Sequence, residues 1–294
     1  MTRATIQYPF PLHQIQVHPE ISIAYMDEGE GATTFLFIHG LANYAPVWQY
    51  QISELKNNNR CIAIDLPGNG YSSRGDYPYT MFFYAESVAR FIETLDLKNV
   101  VLVGHSMGGQ VSMVLALRYP LLIQKLILIG SAGLEYFATH EVMMMQGALK
   151  MGTLFASDEF HLKQAIEQSF FSSHNDSAKI IEQLHEFMKL HPTKQWREMS
   201  IKSINGMLNE QVQQFLPEIQ VPTHIIFGKQ DALIPNSLVH FGETPTSIAQ
   251  KAAALIPNAT FTIINNAGHF VQIEKPIEVN GILASFVNDA KVIA

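Results

Sequence analysis

Ser106 stands at the centre of Gly104-His105-Ser106-Met107-Gly108, directly after the apolar run Val100-Val101-Leu102-Val103 and before a segment with helical patterning. A buried strand that turns straight into a helix forces its corner residue into a strained backbone, and the residues two positions away must be small. Gly104 and Gly108 meet that need, and a serine hydroxyl raised on such a corner can act as a nucleophile. The corner also aims the first amides of the helix at the space above the serine. The backbone N–H of Met107 is therefore a candidate donor to a developing oxyanion, helped by the positive end of the helix dipole. A glycine-flanked serine also occurs in ordinary turns. The apolar run before it and Val111, Met113, Val114, Leu115 and Leu117 after it favour the catalytic reading.

A serine hydroxyl needs a base within hydrogen-bond reach, and the base needs an acidic partner to orient it. Asp231 in Gly228-Lys229-Gln230-Asp231 and His269 in Ala267-Gly268-His269-Phe270 each follow a run that reads as a strand. Taken singly, either could be a loop residue that caps a turn. Taken together, in the chain order Ser, Asp, His and at the strand ends where open α/β sheets place their ligands, they form a candidate triad.

A second oxyanion donor is expected from His39-Gly40-Leu41-Ala42, where Gly40 permits a sharp turn and the amide of Leu41 is the candidate. His39 itself reads as a residue that ties this loop down. The loop Asp65-Leu66-Pro67-Gly68-Asn69-Gly70-Tyr71-Ser72 has the same strand-end position, and its Asp65 reads as a hydrogen-bonding anchor.

The elements that must position these groups are legible as short apolar runs at 21–26, 33–38, 61–64, 100–103, 125–129, 223–227 and 260–264. Helical patterns lie at 79–95, 106–119, 247–255 and 276–287. The alternation predicts an α/β protein with a mostly parallel twisted sheet flanked by helices, its first two strands forming an antiparallel hairpin. Between 134 and 215 no strand is expected. Met143, Met144, Met145, Leu149, Met151, Leu154 and Phe155, and later Ile180, Ile181, Leu184, Phe187, Met188 and Leu190, suggest amphipathic helices instead. The expected division is a core of 1–133 and 216–294 with a helical cap of 134–215 inserted into it.

At 294 residues the chain is long enough for a sizeable core, and its net charge of −7 is spread without a basic stripe, which disfavours nucleic acid as a partner. The single cysteine, Cys61, permits neither an intramolecular disulfide nor a cysteine metal cluster. No stretch reaches the ~18 apolar residues of a membrane span, and residues 1–11 do not pattern as a secretion signal, so a cytoplasmic location is expected. Neither a zinc-protease motif, a P-loop nor a dinucleotide fingerprint occurs, and no metal or organic cofactor is implied.

These motifs resemble the α/β-hydrolase fold with a helical cap, from about residue 21 to 287 excepting the cap. The resemblance implies Ser106 as nucleophile, His269 as general base, Asp231 as its orienting acid, and the amides of Leu41 and Met107 as the oxyanion hole. Serine at the nucleophile position argues against the haloalkane dehalogenase and epoxide hydrolase branches, which carry aspartate there. The expected activity is hydrolysis of a small to medium carboxylic ester with an apolar group, lodged among methionine and phenylalanine side chains of the cap. Thioester hydrolysis, acyl transfer and carbon–carbon cleavage use the same triad, and a non-catalytic receptor could keep the same fold.

Overall fold

A computed structural model describes residues 7–151, 166–172, 178, 182 and 193–288. The second half of the expected cap pattern, Leu154 and Phe155 and the later Ile180, Ile181, Leu184, Phe187, Met188 and Leu190, lies outside the described residues. Eight strands form one sheet: β1 (Leu12–His18), β2 (Ile21–Glu28), β3 (Thr34–Ile38), β4 (Arg60–Ile64), β5 (Val100–His105), β6 (Lys125–Ile129), β7 (Thr223–Gly228) and β8 (Ala259–Ile264). Their order across the sheet is β1-β2-β4-β3-β5-β6-β7-β8. All neighbours from β4 to β8 run parallel, while β1–β2 and β2–β4 are antiparallel.

The central strands read as continuous apolar runs because both faces are covered. Every residue of β3, β5 and β6 is buried. The alternation survives beneath that uniformity. Leu36, Ile38 and Leu102 pack into one layer with α2 (Met81–Thr94), α3 (Met107–Arg118) and α6 (Pro245–Leu255), through side chains such as Phe91, Val111 and Ile248. Phe35, Phe37, Val101 and Val103 pack into the opposite layer with α1 (Gln49–Leu55), α7 (Val271–Glu274) and α8 (Pro276–Asn288), through Ile52, Ile273, Val279 and Leu283.

The expected hairpin is corrected. Strand 21–28 pairs with β1 on one side and β4 on the other, and not with the strand that follows it. The apolar β3 is drawn to the centre of the sheet, between β4 and β5, where both its faces are covered. The mostly exposed β1 takes the edge instead.

Local chemistry sets several boundaries. Thr80 caps α2 by accepting from the amide of Phe83, and Thr244 with Pro245 opens α6 two residues earlier than periodicity suggests. Lys125, a charge at the head of a buried strand, donates Nζ to the carbonyls of Phe286 and Val287 at 2.8 and 3.0 Å. It thereby satisfies the negative C-terminal end of α8.

Between β6 and β7 the described residues hold two longer helices, α4 (Thr139–Lys150) and α5 (Thr193–Asn209), and no strand. They meet through Met145, Leu149, Ile204 and Leu208. The methionine cluster divides: Met145 is buried, whereas Met143 and Met144 face solvent. No helix among the described residues is long and apolar enough to cross a membrane.

Candidate active site

The register brings the chemistry together. Ile38 is opposite Gly104, His105 is opposite Ile129, and Gly228 is opposite Ile264, so the loops after β3, β5, β6, β7 and β8 all emerge at one edge of the sheet. Ser106 is the corner between β5 and α3, with φ 54° and ψ −123°, a strained conformation for a residue with a side chain. Its backbone is tied at both ends to the exit of β6. The Ser106 amide donates to the Ile129 carbonyl at 3.0 Å, and its own carbonyl accepts from Ala132 at 3.1 Å.

The flanking glycines are required by close approach. A Cβ on Gly108 would lie 2.4 Å from the Ile38 carbonyl oxygen and 2.5 Å from that of His39, and one on Gly104 would lie 2.4 Å from the carbonyl of Gly108. These contacts are backbone and cannot swing aside. Gly108→Ala is expected to cost about 3 kcal/mol or more in denaturant unfolding. Gly147→Ala on α4, where a Cβ meets nothing within 4 Å, should be neutral or stabilising by up to ~1 kcal/mol.

Asp231 and His269 meet. His269 Nδ1 lies 2.8 Å from Asp231 Oδ2, and the amides of Leu233 and Ile234 donate to Oδ1 at 2.9 and 3.0 Å. The two amides fix Oδ1 as an acceptor, and with the carboxyl ionised Oδ2 accepts as well, which places the imidazole proton on Nδ1. Nε2 is left with a free lone pair. Ser106 and His269 line one cavity of about 350 Å³, and Leu41 lies on its wall. Gly40 brings that loop against Ser106, since a Cβ there would stand 3.0 Å from the Ser106 Cβ. Met107 is buried and opens α3, so its N–H has no carbonyl one turn back to bond.

His39 and Asp65 lie at the same edge, held in structural contacts. His39 accepts from the Leu66 amide on Nε2 at 3.0 Å and donates Nδ1 to the Gly40 carbonyl at 2.7 Å, and burial pulls its pKa down to about 4. Asp65 accepts from the Tyr8 hydroxyl and the amides of Ala45 and Tyr71, with burial pushing its carboxyl up to about 6. Both are fully committed to fixing loops. Cys61 is a core residue whose thiol burial pushes up to about 12. Among the described residues no group of three or more His, Cys, Asp or Glu could hold a metal ion.

Sequence reading missed three residues around the imidazole. His105, the variable position of the serine pentapeptide, donates Nε2 to the His269 carbonyl at 3.0 Å, and burial holds its pKa well below the usual histidine range. The His269 amide donates to the Ser169 carbonyl at 2.8 Å. Glu274 accepts from the amides of Gly268 at 2.7 Å and Phe171 at 2.8 Å, and so clasps the histidine loop to segment 166–172. Three of these contacts join residues far apart in the chain, and the short one, from Gly268 to Glu274, involves a backbone amide, so no side-chain pattern announces them.

A family profile described as alpha/beta hydrolase fold matches residues 33–276, and the chain belongs to that family. The dihydrolipoyllysine-residue acetyltransferase component of the acetoin cleaving system from Cupriavidus necator is 28% identical over 265 residues, covering 90% of this chain and 66% of that protein. The chain therefore spans just under two thirds of that relative's length. Human monoacylglycerol lipase ABHD6 is 24% identical over 281 residues, covering 92% of this chain and 80% of the lipase. A solved structure of a probable hydrolytic enzyme from Pseudomonas aeruginosa PAO1 shares the fold with a TM-score of 0.81 at 22% identity, covering 97% of this chain and 96% of that one. A hydrolase role fits this membership.

Proposed function

We propose that the protein is a serine hydrolase that cleaves a small to medium carboxylic ester. The observation that carries the reading is the hydrogen bond between His269 and Asp231 beside a cavity that Ser106 also lines. Ser106 Oγ attacks the carbonyl carbon while His269 Nε2 takes its proton. The amides of Leu41 and Met107 receive the oxyanion, and the carbonyl re-forms as the C–O bond breaks. His269 passes its proton to the departing alcohol. Water then gives a proton to His269 and attacks the acyl carbon, and the acid leaves as the proton returns to Ser106.

The same reading treats 134–215 as a helical cap over a core of 1–133 and 216–294. The cavity wall is mostly apolar, with Phe137, Met145, Ile204 and Leu208 from the cap side. That lining suits an acyl or aryl group of modest size. The lipase relative supports ester chemistry in this family branch. Thioester hydrolysis, acyl transfer and carbon–carbon cleavage remain readings of the same triad, separable by product analysis.

The test is twofold. A fluorophosphonate probe should label the folded protein at Ser106, and a panel of p-nitrophenyl esters should give a kcat/KM that peaks at a short or medium acyl chain and falls as the chain outgrows about 350 Å³. Absence of labelling together with absence of turnover would favour a non-catalytic receptor.

A further inference from the structure

The same cavity holds a carboxylate that the triad does not use. Glu135, six residues beyond the end of β6, is buried and lines the cavity with Ser106 and His269. Its Oε1 accepts from the Asn236 amide at 2.8 Å and lies 2.6 Å from His240 Nδ1. His240 Nε2 in turn lies 3.1 Å from the Tyr136 carbonyl. No hydrogen bond from a described residue reaches Oε2.

The proton count of this pair follows from its contacts. A carbonyl accepts only, so the proton on His240 Nε2 is fixed. The short Nδ1 to Oε1 contact needs one more proton, on the ring or on the carboxyl. In either arrangement the pair carries no net charge. Such a pair offers a hydrogen-bonding oxygen without the field that would draw a cation into an apolar cavity.

Two other polar groups of the wall, Gln110 and Gln211, are committed elsewhere. Gln110 donates its amide to the carbonyls of Met207 and Glu210, and Gln211 uses both ends of its amide on Phe137. Asn43 Oδ1 has no partner among the described residues but is sealed from solvent. Burial raises the Glu135 carboxyl, with the charge of Asp231 adding to it. The loop from Asp231 to Asn236 joins them, held by Asp231 at one end and Glu135 at the other.

The geometry points to the Glu135–His240 pair as a subsite for a neutral hydroxyl on the substrate, so that the ester cleaved carries a free hydroxyl away from the scissile carbonyl. This rests on the ester-hydrolase reading and narrows its substrate class. The hydroxyl could sit on the alcohol side or on the acyl side of the ester, and each gives a distinct result.

Two matched pairs test it by pH-stat: 3-hydroxypropyl butanoate against propyl butanoate, and ethyl 6-hydroxyhexanoate against ethyl hexanoate. In one pair the hydroxylated ester should show a kcat/KM about 10- to 100-fold above its partner, the effect of a buried hydrogen bond to a charged or strongly polar acceptor. Which pair shows it identifies the side. In Glu135→Leu that ratio should fall to near 1. If Glu135 merely anchored the loop at Asn236, the substitution would lower both members of a pair alike and leave the ratio standing, which would overturn the proposal. The wild-type ratios carry the test even if the variant does not fold, since values near or below 1 in both pairs also overturn it. Turnover of all four esters without preference removes this subsite alone, whereas no turnover of any removes the ester-hydrolase reading and the subsite with it.

Discussion

Ser106→Ala is expected to lower kcat on a p-nitrophenyl ester by ~10³-fold or more, and to abolish fluorophosphonate labelling, with the thermal midpoint little changed. The attribution is clean because of the backbone. Serine and alanine both carry a Cβ at φ 54°, so the substitution leaves the strain of the corner in place and removes only the hydroxyl. Residual turnover should come from the oxyanion donors and binding alone. Turnover within a few-fold of the parent would exclude Ser106 as the nucleophile. Ser106→Gly separates the two properties, because glycine accepts positive φ without strain and should raise stability by roughly 1 kcal/mol while remaining inactive.

Asp231→Asn should cost about 10⁴-fold in kcat. The side chain keeps its shape, and its oxygen can still accept the amides of Leu233 and Ile234 that hold Oδ1. What changes is the group facing His269 Nδ1, where a donor NH₂ replaces an acceptor. The imidazole is then driven to carry its proton on Nε2, which removes the lone pair needed to take the serine proton. Circular dichroism and the unfolding midpoint should stay close to the parent while kcat falls. A loss smaller than about tenfold would show that another group orients the base. Glu135, on the wall of the same cavity as His269, is the carboxylate to examine in that event.

The centre of the sheet and the positions of Ser106, Asp231 and His269 were legible because they depend on short-range order. Strands buried on both faces must be apolar throughout, and a chain entering a helix from such a strand must have room for the turn. Gly104, Gly108 and Gly40 record that crowding directly in the sequence. The edge was less legible. β1 reads Leu-His-Gln-Ile-Gln-Val-His with most residues exposed, so it lacks an apolar run, and without it β2 seemed to need β3 as a partner. The supports of His269 were invisible for a different reason. His105, Ser169 and Glu274 act through contacts spanning the chain or through main-chain atoms, and side-chain pattern carries no trace of them. Glu135 likewise gains meaning only when the 236–240 loop folds back over it.

The clasp between segment 166–172 and the histidine loop bears on how this scaffold can be re-engineered. The Ser169 carbonyl and Phe171 amide form part of the seat of His269, directly and through Glu274. Chimaeras that import a foreign β6–β7 insertion to alter specificity must reproduce those two main-chain anchors, or the imported pocket will arrive with His269 out of alignment.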